Sequence, residues 1–154
     1  MAENVFCEMI TLMVQIDISY EGDLHCSATH VPSNSILTTD APVDNHGKGE
    51  TFSPTDLVAT ALGTCIATTL DIYNRRTRPD LSLVGLKITV QKEMSTTAPR
   101  KIARLSTEIW FPFSKTTDPE RILERVALSC PVHNSLCEKV DKPIVFHYRD
   151  ETSS

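Results

Sequence analysis

The chain has 154 residues, 40% of them hydrophobic, which suits one globular domain (1–154) with a sizeable core and leaves no room for two full ones. Fifteen basic against twenty acidic residues give a net charge of −5, and outside Arg75, Arg76 and Arg78 no basic stripe follows a phosphate backbone, so nucleic acid is not an expected partner. Five cysteines, an odd number, argue against a secreted disulfide framework and for reduced thiols with one redox-active pair.

At the N-terminus, Met1-Ala2-Glu3-Asn4 has no basic region, and the apolar stretch from Met9 to Ile18 is broken by Gln15 and Asp17. Neither a signal peptide nor a membrane anchor is supported, and a cytoplasmic location is expected. Residues 1–8 and 150–154 are expected to be mobile termini. Ile10, Leu12, Val14, Ile16 and Ile18 alternate, Gly22-Asp23 makes a turn, and Leu24, Cys26 and Ala28 continue the period of two, which predicts a hairpin. A short third strand is expected near Ile36 to Thr39. Pro42, Gly47 and Gly49 mark 40–51 as a loop leading into a helix, a common place for site residues.

That helix begins at about Pro54, because Ser53-Pro54-Thr55-Asp56 supplies an N-cap hydroxyl, a proline at the first helical position and an acid in the first turn. Leu57, Ala61, Cys65, Thr69 and Tyr73 form one row and Val58, Leu62, Ile66 and Leu70 the next, so Cys65 lies in an apolar stripe and should face the core. Ala59, Gly63 and Ala67 are small, which predicts close approach of another element. No charge falls between Asp56 and Asp71, yet the helix reads as too short and too rich in Thr to span a bilayer. Being apolar on nearly all sides, it is expected to be covered partly by a second copy of the chain. Arg75, Arg76 and Arg78 complement its C-terminal dipole, and Pro79 limits it.

Leu83 to Val90 and Ile102 to Phe113 predict an antiparallel pair with a polar turn around Ser95 to Pro99. Asp118-Pro119 starts a further helix, and a last strand spans Pro143 to Tyr148. The order is three strands, a long helix, two strands, two helices and a strand, an α+β class with antiparallel sheets packed on a long central helix.

Cys130 stands before Pro131, which disfavours helix in the preceding residue, so Cys130 should end one helix and N-cap the next, Pro131 to about Glu138. Unpaired backbone N–H groups there favour a thiolate. Each cysteine also has a plainer reading: Cys65 as an inert core residue, and Cys130, His133 and Cys137, three and four residues apart, as metal ligands lacking an evident fourth. No metal is expected. Cys7, Cys26 and Cys137 read as structural or incidental.

Two segments, Phe52-Ser53-Pro54-Thr55-Asp56-Leu57-Val58-Ala59-Thr60-Ala61-Leu62-Gly63-Thr64-Cys65 and Cys130-Pro131-Val132-His133-Asn134-Ser135-Leu136, resemble the signatures of the OsmC/Ohr family, in its OsmC-like branch. The resemblance covers almost the whole chain. It implies an intertwined homodimer with two interface sites, in which Cys65 is the peroxidatic cysteine that reduces organic hydroperoxides and Cys130 the resolving one. No resident cofactor is implied; an external dithiol such as dihydrolipoyl groups would return the electrons. The alternative within the same resemblance is a dimeric stress-response or small-molecule-binding protein with an apolar pocket and little turnover.

The chain departs from the family's hydroperoxidases in two respects. They carry a glutamate ten residues before the helix cysteine and an arginine nearby; here position 55 is Thr55, and the first arginine is Arg75. Candidate substitutes are His46, Lys48 and Glu50 in the loop, with His25, Arg100 and Arg104.

Overall fold

The computed structural model describes residues 13–149. The expectations for the termini, for a strand already begun at Ile10 and for Cys7 lie outside the described residues. The chain divides into two compact units, 1–54 and 55–154.

In the first unit, β1 (Ile16–Gly22), β2 (His25–His30) and β3 (Ser35–Thr39) form an antiparallel sheet in the order β1-β2-β3. Its first turn is wider than Gly22-Asp23. Gly22, Asp23 and Leu24 all take positive φ, and a register shift between Tyr20 and Gly22 absorbs the extra residue. Ile18 and Ile36 are 70% and 71% exposed, and among the described residues no apolar side chain of this unit is buried. After β3, Asp40 organises the loop: its buried Oδ2 accepts the backbone N–H groups of Lys48 at 3.1 Å and Glu50 at 3.0 Å. Gly47 is obligatory there, since a Cβ would sit 1.7 Å from the carbonyl oxygen of Ala41.

The second unit is built on α1 (Pro54–Thr77), followed by β4 (Lys87–Met94), β5 (Ile102–Trp110), α2 (Ile122–Leu128), α3 (Pro131–Ser135) and β6 (Ile144–His147). The predicted order of elements is the observed one. Leu62, Ile66 and Leu70 of α1 are fully buried in one core cluster with Leu105 and Ile109 of β5 and Leu123 and Ala127 of α2. The small row serves the expected close approach, for a Cβ on Gly63 would lie 3.2 Å from Val90 Cγ2 on β4. The strand order is β4-β5-β6. β4 and β5 are antiparallel, whereas β6 runs parallel to β5, with Thr107 opposite Ile144, because the α2–α3 crossover returns the chain in the same direction.

Several boundaries move, β5 ending at Trp110 and not at Phe113. β4 starts at Lys87 and not near Leu83, because Gly85 turns the chain at φ +95°. Helix α2 starts three residues after Pro119; Asp118 still caps it, its Oδ2 accepting the N–H of Leu123 at 2.8 Å while Oδ1 receives Arg78 Nη1 at 3.1 Å. Helix α3 ends at Ser135 and not at Glu138. At 24 residues α1 is long and apolar enough to cross a bilayer, so shortness is not what argues against a span. That argument rests instead on Leu62, Ile66 and Leu70 being buried in protein and on Asp56, Asp71, Arg75 and Arg76 lying within the helix.

Candidate active site

Cys65 occupies the middle of α1 between the buried Leu62 and Ile66, and its half-buried thiol packs at the edge of the core cluster. Cys130 is fully buried and N-caps α3 in a non-helical conformation (φ −53°, ψ 130°), as the following proline requires. The fold brings these two residues, 65 apart in sequence, into a direct hydrogen bond between their thiols.

The two sulfurs are pushed in opposite directions. Burial raises Cys65, but the Cys130 thiol, the Val132 backbone N–H and the Thr69 hydroxyl all donate to it, and the net effect lowers its pKa. Burial is also the largest influence on Cys130. There the His133 and Val132 N–H groups are outweighed, because the neighbouring Cys65 adds to the rise. The expectation that the helix N-terminus activates Cys130 is therefore corrected. The His133 and Val132 N–H groups do lower Cys130, but burial and the neighbouring Cys65 raise it more, and the N–H of Val132 also reaches Cys65. Of the two sulfurs, Cys65 is thus the one whose thiolate form is favoured, and Cys130 the one that keeps its proton more tightly. His133 beside them has a buried Nδ1 with no hydrogen-bond partner.

Thr55 lies in the first turn of α1, where Lys92 reaches it. The Lys92 ammonium donates to Thr55 Oγ1 at 2.8 Å and to Asp56 Oδ1 at 2.6 Å. A cation and a carboxylate thus meet beside position 55 in the first turn of α1. Sequence reasoning missed Lys92, although the signal was present: Lys92 falls in phase with Ile88, Val90 and Met94 on the inward face of β4. His46, Lys48 and Glu50 lie exposed in the loop of the first unit, with Glu50 Oε2 3.2 Å from His25 Nε2. Arg104 pairs with Asp141 at 3.0 Å. Cys130, His133 and Cys137 do not converge as metal ligands among the described residues, because α3 ends before Cys137. A cleft of about 560 Å³ lies beside the other end of α1, between Asp71, Arg75 and the 79–86 segment, and is not lined by either cysteine.

The OsmC-like family model matches residues 47–142, a span that holds both cysteines. The chain belongs to the OsmC-like protein family. A candidate osmotic stress induced and detoxification response protein from Psychrobacter arcticus 273-4 is 36% identical, with a TM-score of 0.80 over 90% of this chain and 99% of that one. The fold extends to more distant structures. An organic hydroperoxide resistance protein OsmC from Legionella pneumophila has 14% identity and a TM-score of 0.71, covering 89% and 98% of the two chains. The organic hydroperoxide resistance protein OhrB of Bacillus subtilis has 13% identity and a TM-score of 0.66, covering 88% and 98%. No curated protein matches the sequence. Within the OsmC-like family, Cys65 and Cys130 of this member lie in the matched span, whereas His25 and Asp40 fall outside it.

Proposed function

We propose that this OsmC-like protein reduces organic hydroperoxides, with Cys65 as the peroxidatic and Cys130 as the resolving cysteine. The observation that carries the reading is the hydrogen bond between the two thiols, with Cys65 lowered and Cys130 raised. The Cys65 thiolate attacks the outer oxygen of the peroxide. An S–O bond forms as the O–O bond breaks, sulfur is oxidised by two electrons to a sulfenic acid, and the alkoxide takes a proton to leave as an alcohol. Loss of the negative charge on Cys65 removes one of the influences that hold Cys130 protonated. Cys130 then attacks the sulfenic sulfur, forming the disulfide and releasing water. An external dithiol, for which dihydrolipoyl groups are the proposed source, reduces the disulfide in a reducing, cytoplasmic setting.

The site is completed by a second copy of the chain. Thr60, Thr64 and Thr68 form an exposed row on α1, and each hydroxyl donates back to the carbonyl four residues earlier, at 3.0, 2.8 and 3.1 Å. Their polar groups are already satisfied and the face presents methyl groups, so covering it with protein costs little desolvation. Thr55 lies ten residues before Cys65, roughly 15 Å along the helix axis, so Lys92 reaches a thiol pair through a neighbouring subunit in this proposal. The same cover would bury the alkyl part of a substrate, which selects organic over hydrogen peroxide.

The test is the intact mass and free-thiol count of reduced protein after stoichiometric tert-butyl or cumene hydroperoxide, for wild type, Cys65→Ser and Cys130→Ser. Loss of two thiols to a Cys65–Cys130 disulfide, with sulfinic acid on Cys65 when Cys130 is absent, is the expected result. Thiols that survive excess peroxide would refute it. Thr55 in place of a glutamate favours that alternative, in which the protein binds an apolar small molecule without turnover.

A further inference from the structure

The N-terminal unit holds a second cluster that the thiol chemistry does not use. His25 opens β2, Asp40 follows β3, and Glu50 lies at the end of the loop that Asp40 organises. His25 Nε2 stands 3.2 Å from Glu50 Oε2 and 3.8 Å from Asp40 Oδ1, and the three donor atoms lie within 4.8 Å of one another.

Hydrogen bonding fixes what these atoms offer. His25 Nδ1 is 2.9 Å from the carbonyl oxygen of Asp23, which only accepts, so Nδ1 carries the proton. In the neutral imidazole Nε2 then presents a lone pair, and that lone pair faces two carboxylates. Asp40 Oδ2 is committed to the backbone N–H groups of Lys48 and Glu50, while Oδ1 on the same fully buried side chain has no hydrogen-bond partner and faces the cluster. Three acceptors converging on one point repel one another unless a positive charge sits between them. We propose that this point binds a divalent first-row transition-metal ion, held by His25 Nε2, Asp40 Oδ1 and Glu50 Oε2.

The donor set fits such an ion. One imidazole nitrogen and two carboxylate oxygens suit Mn²⁺ through Zn²⁺, and three protein ligands leave positions for water or an exogenous ligand. A ligating histidine whose other N–H is anchored on a backbone carbonyl is the usual outer arrangement of such sites, since it sets the tautomer and the ring orientation. Glu50 is mostly exposed and free to swing about its side-chain torsions to close the ligand set around the ion. The sequence reading expected no metal and weighed one only at Cys130, His133 and Cys137. His25 and Asp40 are separated from Glu50 by 25 and 10 residues, too irregular a spacing to register as a ligand motif.

Mn²⁺ is the suitable probe, because it prefers carboxylate oxygens and leaves the soft thiols alone. Chelator-stripped full-length protein is titrated with Mn²⁺ while electron paramagnetic resonance follows the free ion. One Mn²⁺ per chain is expected in the wild type and in Cys65→Ser, with binding weakened at least about tenfold in Glu50→Gln and His25→Gln. Glu50→Gln changes only an exposed side chain, so circular dichroism matching the wild type will separate lost binding from lost folding. No uptake at millimolar Mn²⁺, or equal uptake by wild type and Glu50→Gln, overturns the proposal.

Discussion

Replacing Cys130 by alanine removes the thiol that donates to Cys65 while leaving the Val132 N–H and the Thr69 hydroxyl in place. A hydrogen bond to a charged acceptor contributes about 1.5–3 kcal/mol, and the half-buried position of Cys65 argues for the lower end. Since 1.36 kcal/mol corresponds to a tenfold change, the alkylation rate of Cys65 on the rising limb of its pH profile, where the thiol still predominates, should fall about tenfold. Cys130→Ser keeps an O–H donor at nearly the same place and should recover most of that loss. The assay is iodoacetamide alkylation across pH, with mass spectrometry quantifying the peptide that carries Cys65, so that Cys7, Cys26 and Cys137 do not interfere. The rate profile should move to higher pH in Cys130→Ala and lie near the wild type in Cys130→Ser. An unshifted profile in Cys130→Ala would show that burial and the backbone alone set the reactivity of Cys65. The assignment of donor and acceptor in the pair would then fail.

Other consequences follow from individual contacts. Ile66 is fully buried in the cluster that joins α1, β5 and α2, so Ile66→Ala should destabilise the protein by about 3 kcal/mol in urea unfolding, and a cost below about 1 kcal/mol would contradict its central place. A methyl group on Gly47 collides with the Ala41 backbone, so Gly47→Ala should open the loop and remove the amide-exchange protection of Lys48 and Glu50. Asp40 is lowered below its ordinary 3.8, chiefly by the Glu50 N–H, against the opposing effect of burial. Its carboxylate therefore contributes stability that is complete above the ordinary value and is lost as pH falls through the lowered one. The stability gap between wild type and Asp40→Asn should be constant near neutrality and close in acid. Lys92→Met should lower hydroperoxide kcat/KM about tenfold, the loss of one charge-assisted hydrogen bond, while changing stability by less than about 1 kcal/mol; unchanged kinetics would remove Lys92 from the site.

The legibility of this fold depends on how local each signal is. Pro54 with Ser53 before it marks the start of α1, and Pro131 places Cys130 outside the next helix, because a proline constrains its immediate neighbours whatever surrounds them. The four-residue rows of α1 name the core side chains, since helical geometry alone decides which residues share a face. These local constraints sufficed for the order of elements and for the settings of the two cysteines, Cys65 within α1 and Cys130 at the start of α3. Direction, distance and burial are properties of the packed chain. That β6 runs parallel to β5 depends on how the α2–α3 crossover returns. That Cys65, and not Cys130, is lowered depends on the balance between full burial and donated hydrogen bonds, which a helix-capping pattern does not contain. Lys92 meets Thr55 across 37 residues, and His25 meets Asp40 and Glu50 across a sheet and a loop. Sequence determined the type and order of the helices and strands, though not all their ends, because those preferences act over a few bonds. Tertiary structure alone decided which charges and thiols touch, because electrostatic and hydrogen-bond energies depend on distances and solvent exclusion that exist only once the chain has packed.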